Sequence, residues 1–307
     1  MNTVPNGVYP TMVTPFVQDL QVDFGALPPL LRWYEERGVT GVFAICQSSE
    51  IFYLSFEERL RILREIMRVR KPGTVVLASG HTAYDPATQI KEALGFIEEG
   101  IDAYVFISNR FAEKDEDDDT FLRRLEHVAK ALPDLPLGIY ECPYPYKRLL
   151  SPYVIRRLGE IANFAFLKDT CCDLDQIKEK LEAAEATGLK IFNANAAMLL
   201  ESLRLGCAGF SGVMANFHPR LYVKLCECWR EEPGLAERLQ AFVGMASLAE
   251  AQQYPVNAKY TIALDGVPMT WKCRVKMKDN AKFRRCDEMQ IEQLRVLAME
   301  MERSYQK

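Results

Sequence analysis

Short apolar segments of strand length alternate with longer amphipathic segments through most of the chain. In the longer segments, apolar residues recur at the three- and four-residue spacing that is typical of helices. Strands that alternate with helices in this way predict a parallel sheet and an α/β fold. The predicted strands are residues 8–14, 42–45, 74–79, 103–107, 137–140, 164–168, 190–193 and 209–213.

Capping signals show where several of the predicted helices begin. Ser55 and Glu58 form a capping box, and Asp85 and Ser151 each precede a proline at the first helical position. Eight strand–helix units of about 25–30 residues each match the length of a closed (β/α)8 barrel, so we predict a TIM barrel. The predicted helices span residues 24–37, 55–70, 85–99, 120–131, 151–161, 173–186 and 196–205, and another begins at Pro219.

The chain beyond the eighth unit has a different pattern, with helical segments only. We predict helices at residues 235–253, around 257–264 and at 281–303, with a loop at 266–268. This part is expected to be a C-terminal helical appendage rather than a separate functional module. We therefore divide the chain into a barrel of residues 1–222, which carries the active site, and a C-terminal helical region of residues 223–307 packed on that barrel.

Composition narrows the possible functions. The 307-residue chain has 49% hydrophobic and 26% charged residues and a formal net charge of -4, which is typical of a soluble globular protein. No basic cluster indicates nucleic-acid binding, and no apolar run is long enough to span a bilayer. An odd count of nine cysteines and the missing signal-peptide pattern favour reduced thiols and a cytoplasmic location. The three histidines are scattered and predict no zinc site.

Lys168 stands at the end of the sixth predicted strand, directly after an apolar segment. Catalytic groups of α/β barrels lie at the carboxyl ends of the strands, which makes this lysine a candidate nucleophile. Apolar surroundings lower a lysine pKa, and a shift of roughly 3 units from about 10.4 makes half of the amine neutral near pH 7. The neutral amine can form a Schiff base with a keto acid. The alternative is a lysine that extends from the strand end into water.

Other strand ends bring polar side chains to the same edge of the barrel. After the second strand, the hydroxyls of Ser48 and Ser49 and nearby N–H groups can hold a carboxylate, or simply form a turn. Tyr140 ends the fifth strand and can transfer protons during imine formation, or place its hydroxyl in water. His81 and Asn193 follow the third and seventh strands as candidate substrate contacts, the alternatives being an ordinary loop histidine and a helix cap.

Lys168, Tyr140 and Ser48 stand within a series of motifs that covers nearly the whole chain, about residues 5–295. The motifs are Gly-x-x-x-Thr-x-x-Thr-Pro-Phe at 7–16, Tyr-x-x-Pro at 140–143, Leu-Lys-Asp-Thr at 167–170, Leu-Gly-x-x-Gly at 205–209 and Asn-x-x-Pro at 216–219. In this order they resemble the dihydrodipicolinate synthase/N-acetylneuraminate lyase family.

The resemblance implies a (β/α)8 barrel with a C-terminal helical region, assembled as a homotetramer or homodimer. It implies Schiff-base chemistry on pyruvate or a related small-molecule 2-oxo acid, with no metal and no organic cofactor. In this chain Lys168 would form the imine and Tyr140 would transfer protons. Ser48 and Ser49 would hold the keto-acid carboxylate, and the backbone near Ser211 would line the same site.

Departures from the family pattern affect the expected substrate. Gln47 stands where the family has the hydroxyl that bonds the proton-transferring tyrosine, and an amide accepts that hydrogen bond without relaying the proton. Ser108 replaces a tyrosine of the synthases, and residues 143–145 lack their arginine. Alanines at 196–197 replace the acidic residues with which the neuraminate lyases bind sugar hydroxyls. The imine-forming residues are retained, whereas the pocket for the second substrate differs.

The residues and the resemblance together predict a class I, Schiff-base carbon–carbon or carbon–oxygen lyase. It would make or break a bond next to a 2-oxo acid, with a sugar-acid derivative or another 2-oxo acid as substrate. One alternative is 4-hydroxy-tetrahydrodipicolinate synthase itself, and another is a dehydratase that uses the same imine to expel water. Gln47 and Ser108 raise a third, a homologue that binds a keto acid without turning it over.

Overall fold

The computed structural model describes residues 4–275 and 282–305, and at its centre lies an eight-stranded parallel sheet. Its strands are paired in the order β1-β8-β7-β6-β5-β4-β3-β2, and a parallel bridge between Thr11 and Phe43 brings the chain after β1 against β2. The sheet thus forms a nearly closed (β/α)8 barrel, which confirms the predicted fold class. The strands are β1 (Gly7–Val8), β2 (Gly41–Ile45), β3 (Val75–Ala78), β4 (Ala103–Ile107), β5 (Leu137–Tyr140), β6 (Phe164–Asp169), β7 (Lys190–Asn193) and β8 (Gly209–Phe210).

Helices follow the strands in sequence, and the predicted capping signals are confirmed. Ser55 accepts a hydrogen bond from the Glu58 N–H, while the Glu58 carboxylate accepts one from the Ser55 N–H. Asp85 and Ser151 cap the third and fifth helices. The barrel helices are α1 (Leu27–Glu35), α2 (Phe56–Val69), α3 (Pro86–Glu98), α4 (Asp118–Ala129), α5 (Pro152–Ile161), α6 (Leu174–Ala184), α7 (Leu199–Leu205) and α8 (Pro219–Cys228).

Three strands are shorter than predicted: β3 loses one residue at each end, and β1 and β8 stop well before their predicted ends. β1 was expected to reach residue 14 but ends at Val8, because Pro10 has no N–H with which to continue the ladder. Beyond it, the Met12 N–H donates to the Phe43 carbonyl on β2, at 3.0 Å. β8 was expected to reach residue 213 but ends at Phe210, because the chain then turns into a 3-10 helix, Val213–Asn216.

The C-terminal region contains α9 (Pro233–Ala246), α10 (Val256–Leu264) and α11 (Arg285–Tyr305). The first predicted helix of this region is interrupted, because regular α-helix ends at Ala246 and a 3-10 helix, Ser247–Ala251, follows. The loop predicted at residues 266–268 is confirmed. The third predicted helix was placed at residues 281–303, and its first residue lies outside the described residues.

Apolar packing joins this region to the barrel. Phe210 of β8 stacks on Tyr222 of α8 with ring centroids 4.3 Å apart, and side chains of α9 complete the same buried cluster, among them Leu239 and Val243. Burial of this surface is the main force that holds the two parts together. The predicted boundary at residue 222 falls inside α8, and we retain the two-part division as a proposal. Across residues 4–275 and 282–305, no helix combines the length and apolar character needed to cross a bilayer.

Candidate active site

Lys168 lies near the carboxyl end of β6 with a side chain that is 3% exposed. Its Nζ is 4.6 Å from the centroid of the Tyr140 ring and 6.0 Å from that of Phe43. Burial in these surroundings lowers the pKa of the amine below its ordinary value, and the nearby thiols of Cys46 and Cys142 act weakly in the opposite direction. The neutral, nucleophilic form of the amine is therefore more accessible near neutral pH than in an exposed lysine.

Tyr140 ends β5 and is paired with Lys168 in the parallel ladder between β5 and β6. Its hydroxyl donates to Oε1 of Gln47 at 3.1 Å. The Gln47 amide thus accepts the tyrosine hydrogen bond, as expected from its place in the sequence. Burial raises the pKa of the phenol well above its ordinary value. Tyr140 therefore remains protonated, with its hydroxyl proton directed at Gln47 and its ring beside the Lys168 amine.

The turn after β2 is a 3-10 helix, Gln47–Ser49, that presents two of its three side chains to the cavity. The Ser48 hydroxyl donates its one proton to Oγ1 of Thr11 at 3.0 Å, so its oxygen can accept a further hydrogen bond, and it can donate to a ligand only after the hydroxyl turns away from Thr11. The Ser49 hydroxyl is fully buried and lies 2.6 Å from the Met12 carbonyl and 2.8 Å from the Ala44 carbonyl. Ser49 thus braces the turn that presents Ser48.

A cavity of about 560 Å³ opens beside these groups at the carboxyl ends of the strands. This volume is within the usual range for a site that binds a small molecule. Four of the predicted residues line it, namely Gln47, Ser48, Tyr140 and Lys168. Further residues from the barrel are Pro143, Lys147, Thr170, Cys172, Ala194, Asn195, Ala196, Ala197 and Val213.

The other predicted residues do not line this cavity. The Ser211 hydroxyl donates to the Tyr9 carbonyl at 3.0 Å, and the Asn193 amide donates to Ser202 at 3.0 Å. His81 is fully buried, and its Nε2 accepts the Ile107 N–H at 2.9 Å. Burial, reinforced by the nearby Arg110 and Arg59 guanidinium groups, lowers the pKa of His81 to about 3. Their roles as substrate contacts remain predictions, and these hydrogen bonds show what each side chain does in the fold.

Sequence reasoning missed the wall of the cavity that the C-terminal region supplies. Glu250 and Ser247, on the 3-10 helix after α9, line the cavity together with Tyr254. Partial desolvation raises the pKa of Glu250, and the Lys168 ammonium opposes this. The Tyr254 hydroxyl accepts a hydrogen bond from Asn216 at 3.1 Å. Helical periodicity carries no information about where such a segment touches the barrel, so no sequence pattern pointed to these residues.

The cavity offers no evident metal site. Within residues 4–275 and 282–305, no three His, Cys, Asp or Glu side chains lie close enough together to hold a metal ion. The cavity instead combines one buried amine, one buried phenol, a serine hydroxyl and a carboxylate at its exposed rim. These groups are suited to nucleophilic attack on a carbonyl and to proton transfer.

Known proteins with the same fold and related sequences are numerous. The chain is 27% identical to the 4-hydroxy-tetrahydrodipicolinate synthase of Methanocaldococcus jannaschii, over 71% of this chain and 73% of the relative. It is 26% identical to the corresponding synthase of Methanothrix thermoacetophila, over 89% of this chain and 95% of the relative. It is also 28% identical to an uncharacterised DapA-like lyase of Pyrococcus horikoshii, over 73% and 77% of the two chains.

Solved structures match over almost the entire length. YagE of Escherichia coli, a prophage protein of the dihydrodipicolinic acid synthase family, superposes with a TM-score of 0.84 at 21% identity, covering 97% of this chain and 98% of its own. The sialic acid aldolase of Ruminococcus gnavus gives a TM-score of 0.83 at 18% identity, covering 96% and 98%. At these identities the superpositions establish the shared fold.

A model of the dihydrodipicolinate synthetase family matches residues 4–290, which is most of the chain. The named relatives include synthases and a lyase, which agrees with the lysine and tyrosine found in the cavity. The chain therefore belongs to the dihydrodipicolinate synthetase family and is a class I lyase of that family.

Proposed function

We propose that this protein forms a Schiff base between Lys168 and pyruvate or a related 2-oxo acid, and then makes or breaks the adjacent carbon–carbon bond. The observation that carries this proposal is the buried Lys168 amine, whose pKa is lowered by burial and which opens into a cavity beside Tyr140. The YagE structure and that of an Acinetobacter baumannii synthase are complexes with pyruvate, which supports a 2-oxo acid for this chain.

In the proposed reaction, the neutral Lys168 amine attacks the ketone carbon and a carbinolamine forms. Loss of water from the carbinolamine gives the iminium, and Tyr140 supplies the proton that the departing oxygen needs. In the cleavage direction, the Tyr140 phenolate takes the proton of the hydroxyl on the carbon that leaves as an aldehyde, the adjacent carbon–carbon bond breaks, and its electron pair moves into the iminium to give an enamine. The proton then returns from Tyr140 to the enamine carbon, which restores the iminium of the 2-oxo acid. In the synthetic direction, loss of a proton from that carbon gives an enamine that attacks an aldehyde. Hydrolysis of the iminium returns the free amine.

The Ser48 hydroxyl is the group we propose for the keto-acid carboxylate. It lines the cavity within the turn after β2, and its proton would turn from Thr11 to the carboxylate when the keto acid binds. Ser49 supports the same function indirectly, because its buried hydroxyl fixes the backbone of the turn. A neutral hydroxyl can bind a carboxylate by hydrogen bonding. A cationic side chain in its place would destabilise the positively charged iminium at Lys168 by repulsion.

The rest of the cavity favours a substrate with hydroxyl groups, such as a sugar-acid derivative. Glu250 at the cavity rim is a carboxylate that can accept hydrogen bonds from hydroxyls, and Asn195 and Ser247 add neutral polar groups. Lys147 also lines the cavity, where its Nζ donates to the Thr170 carbonyl at 2.7 Å. The arginine expected of the synthases is missing at residues 143–145, which makes 4-hydroxy-tetrahydrodipicolinate synthase activity an alternative rather than the first proposal. Dehydration through the same imine is the other alternative reaction.

Borohydride trapping tests the proposal directly. The protein is incubated with pyruvate or another 2-oxo acid, reduced, and analysed by intact mass and peptide mapping. We expect a reduced adduct on Lys168 and none in the Lys168→Arg variant, while Lys147→Arg still forms the adduct. An unmodified protein with every 2-oxo acid, or an adduct on Lys147 instead, would show that the proposal is wrong.

A keto-acid-binding homologue without turnover is the second candidate, because Gln47 receives the Tyr140 hydrogen bond where a proton-relaying hydroxyl is expected. Thermal-shift screening beside turnover assays separates the two candidates. Stabilisation by 2-oxo or sugar acids with no product in either direction would favour binding alone.

Assembly and compartment are proposed from the family resemblance. We propose a homotetramer or homodimer that works in the cytoplasm. Sedimentation velocity at several concentrations measures the assembly, and a single monomeric species at all of them would contradict it.

A further inference from the structure

A buried ionic cluster lies directly behind the two proposed catalytic residues. The Lys180 Nζ of α6 is 2.6 Å from Oε1 of Glu141 and 2.5 Å from Oδ2 of Asp169. The Lys180 side chain is 2% exposed, and both carboxylates are fully buried. We call these three residues the Lys180 cluster.

The Lys180 cluster is attached to the strand ends that carry the chemistry. Glu141 follows Tyr140, and Asp169 follows Lys168. Successive side chains of a strand point to opposite faces of the sheet. When Lys168 and Tyr140 face the cavity, the carboxylates next to them therefore face outward, toward Lys180 on α6.

Further hydrogen bonds tie the cluster to the backbone around the site. The Glu141 carboxylate accepts the Leu150 N–H at 2.8 Å and the Thr170 N–H at 2.9 Å. The Glu141 N–H in turn donates to the Lys168 carbonyl at 3.3 Å. A single side chain thus joins the end of β5 to the residue that follows β6.

The electrostatics of the cluster depend on the lysine. Burial raises the pKa of Glu141 to about 7, and the neighbouring Asp169 carboxylate adds to this, while Lys180 opposes both. Burial alone would lower the pKa of Lys180, but the two carboxylates together raise it above its ordinary value. Removal of the ammonium would leave two adjacent buried carboxylates without a cation, an arrangement that proteins avoid.

We propose that Lys180 is a positioning residue, which fixes the Lys168 amine and the Tyr140 phenol relative to each other by holding the residues that follow them. This inference rests on the proposed imine chemistry, since it concerns the geometry of that reaction. Reacting groups need near-contact alignment, and a displacement of about 1 Å can slow a reaction by about a hundredfold. Lys180 itself is buried behind the sheet and does not line the cavity.

The test compares Lys180→Met with Lys178→Met, which removes an exposed lysine from the same helix. Pyruvate is titrated, and the rate of borohydride-trapped adduct formation is followed by intact mass, per molecule shown to be folded by near-ultraviolet circular dichroism. We expect Lys180→Met to lower the saturating rate by about tenfold to a hundredfold. The pyruvate concentration at half-maximal rate should change less than about threefold, because the turn with Ser48 is untouched. Lys178→Met should match the wild type.

A second variant keeps the test decisive if Lys180→Met does not fold. Glu141→Gln/Asp169→Asn/Lys180→Met carries no unpaired buried charge, yet it also lacks the ionic link, so the same loss of saturating rate is expected. A folded variant of either kind with a rate within about twofold of the wild type would overturn the inference. So would a loss confined to pyruvate affinity. If wild-type protein itself forms no adduct, the proposed function fails instead, and the two failures are thus distinguishable.

Discussion

The chemistry proposed for Lys168 depends on the register of the β5 and β6 strands. Residues 140 and 168 are paired across β5 and β6, so the amine and the phenol meet although they belong to different strands. The rings of Tyr140 and Phe43 lie beside the Lys168 amine, and burial there lowers its pKa. This environment distinguishes Lys168 as the candidate nucleophile.

Tyr140→Phe removes the proposed proton donor while preserving the ring beside Lys168. General acid–base groups typically contribute about 10²–10⁴-fold, so we expect turnover to fall within this range. Tyr153→Phe, which removes the hydroxyl of an exposed tyrosine on α5, is the control and should leave turnover unchanged. Adduct formation and product release are followed separately by trapping and by coupled assay. Full activity of Tyr140→Phe would show that another group transfers the proton.

The pH dependence of adduct formation follows from the lowered pKa of Lys168. Only the neutral amine attacks, so the trapping rate should rise with pH and level off at a lower pH than for a lysine with the ordinary pKa of 10.5. The Glu250 carboxylate favours the charged amine, and Glu250→Gln should therefore move the inflection to lower pH. Trapping rates measured from pH 5 to pH 10 give the inflection of the wild type and that of the Glu250→Gln variant. A shift to higher pH in the variant would contradict this assignment of charges.

At the scale of elements, capping residues and apolar segments predicted most strands and helices, because these signals are local. The predicted ends of β1 and β8 were wrong, also for a local reason. Pro10 and the turn at residues 213–216 end the hydrogen-bond ladders of these strands. The packing of α10 against the turn after β2 was not predictable, because it joins parts of the chain that are distant in sequence. Its main link is a buried pair, Lys259 and Glu50.

Lys259→Met tests that link. The Lys259 Nζ lies 2.6 Å from Oε1 of Glu50, and neither side chain is exposed. Loss of the Lys259 ammonium leaves the buried Glu50 carboxylate without its cation. We therefore expect the free energy of unfolding, measured with urea, to fall by about 3–5 kcal/mol. Adding Glu50→Gln should recover part of this loss. Lys224→Met, which breaks a more exposed pair with Glu232, should cost about 1 kcal/mol or less. Equal effects of the two lysine variants would contradict the argument.

At the scale of the whole molecule, the site is shared between the barrel and the C-terminal region. The positions of Lys168, Tyr140 and Ser48 could be anticipated because strand ends of a barrel converge on one edge. Glu250 and Tyr254 could not, because their approach to that edge depends on how α9 and the following 3-10 helix pack on the barrel. The proposed division of the chain at residue 222 therefore separates two structural parts that line a single candidate active site.

A fragment of residues 1–228, which keeps α8 whole, tests this interdependence. It exposes Tyr222 and Leu225, which are buried in the intact chain, and it leaves Glu50 without Lys259. Loss of buried apolar surface and of the buried cation should both prevent cooperative folding. We expect no sharp thermal transition by circular dichroism and no pyruvate adduct after borohydride reduction. A chain that ends at residue 305 is the control and should retain both. If the 1–228 fragment unfolds cooperatively and traps pyruvate at the wild-type rate, the C-terminal region contributes neither to folding of the barrel nor to capture of the keto acid.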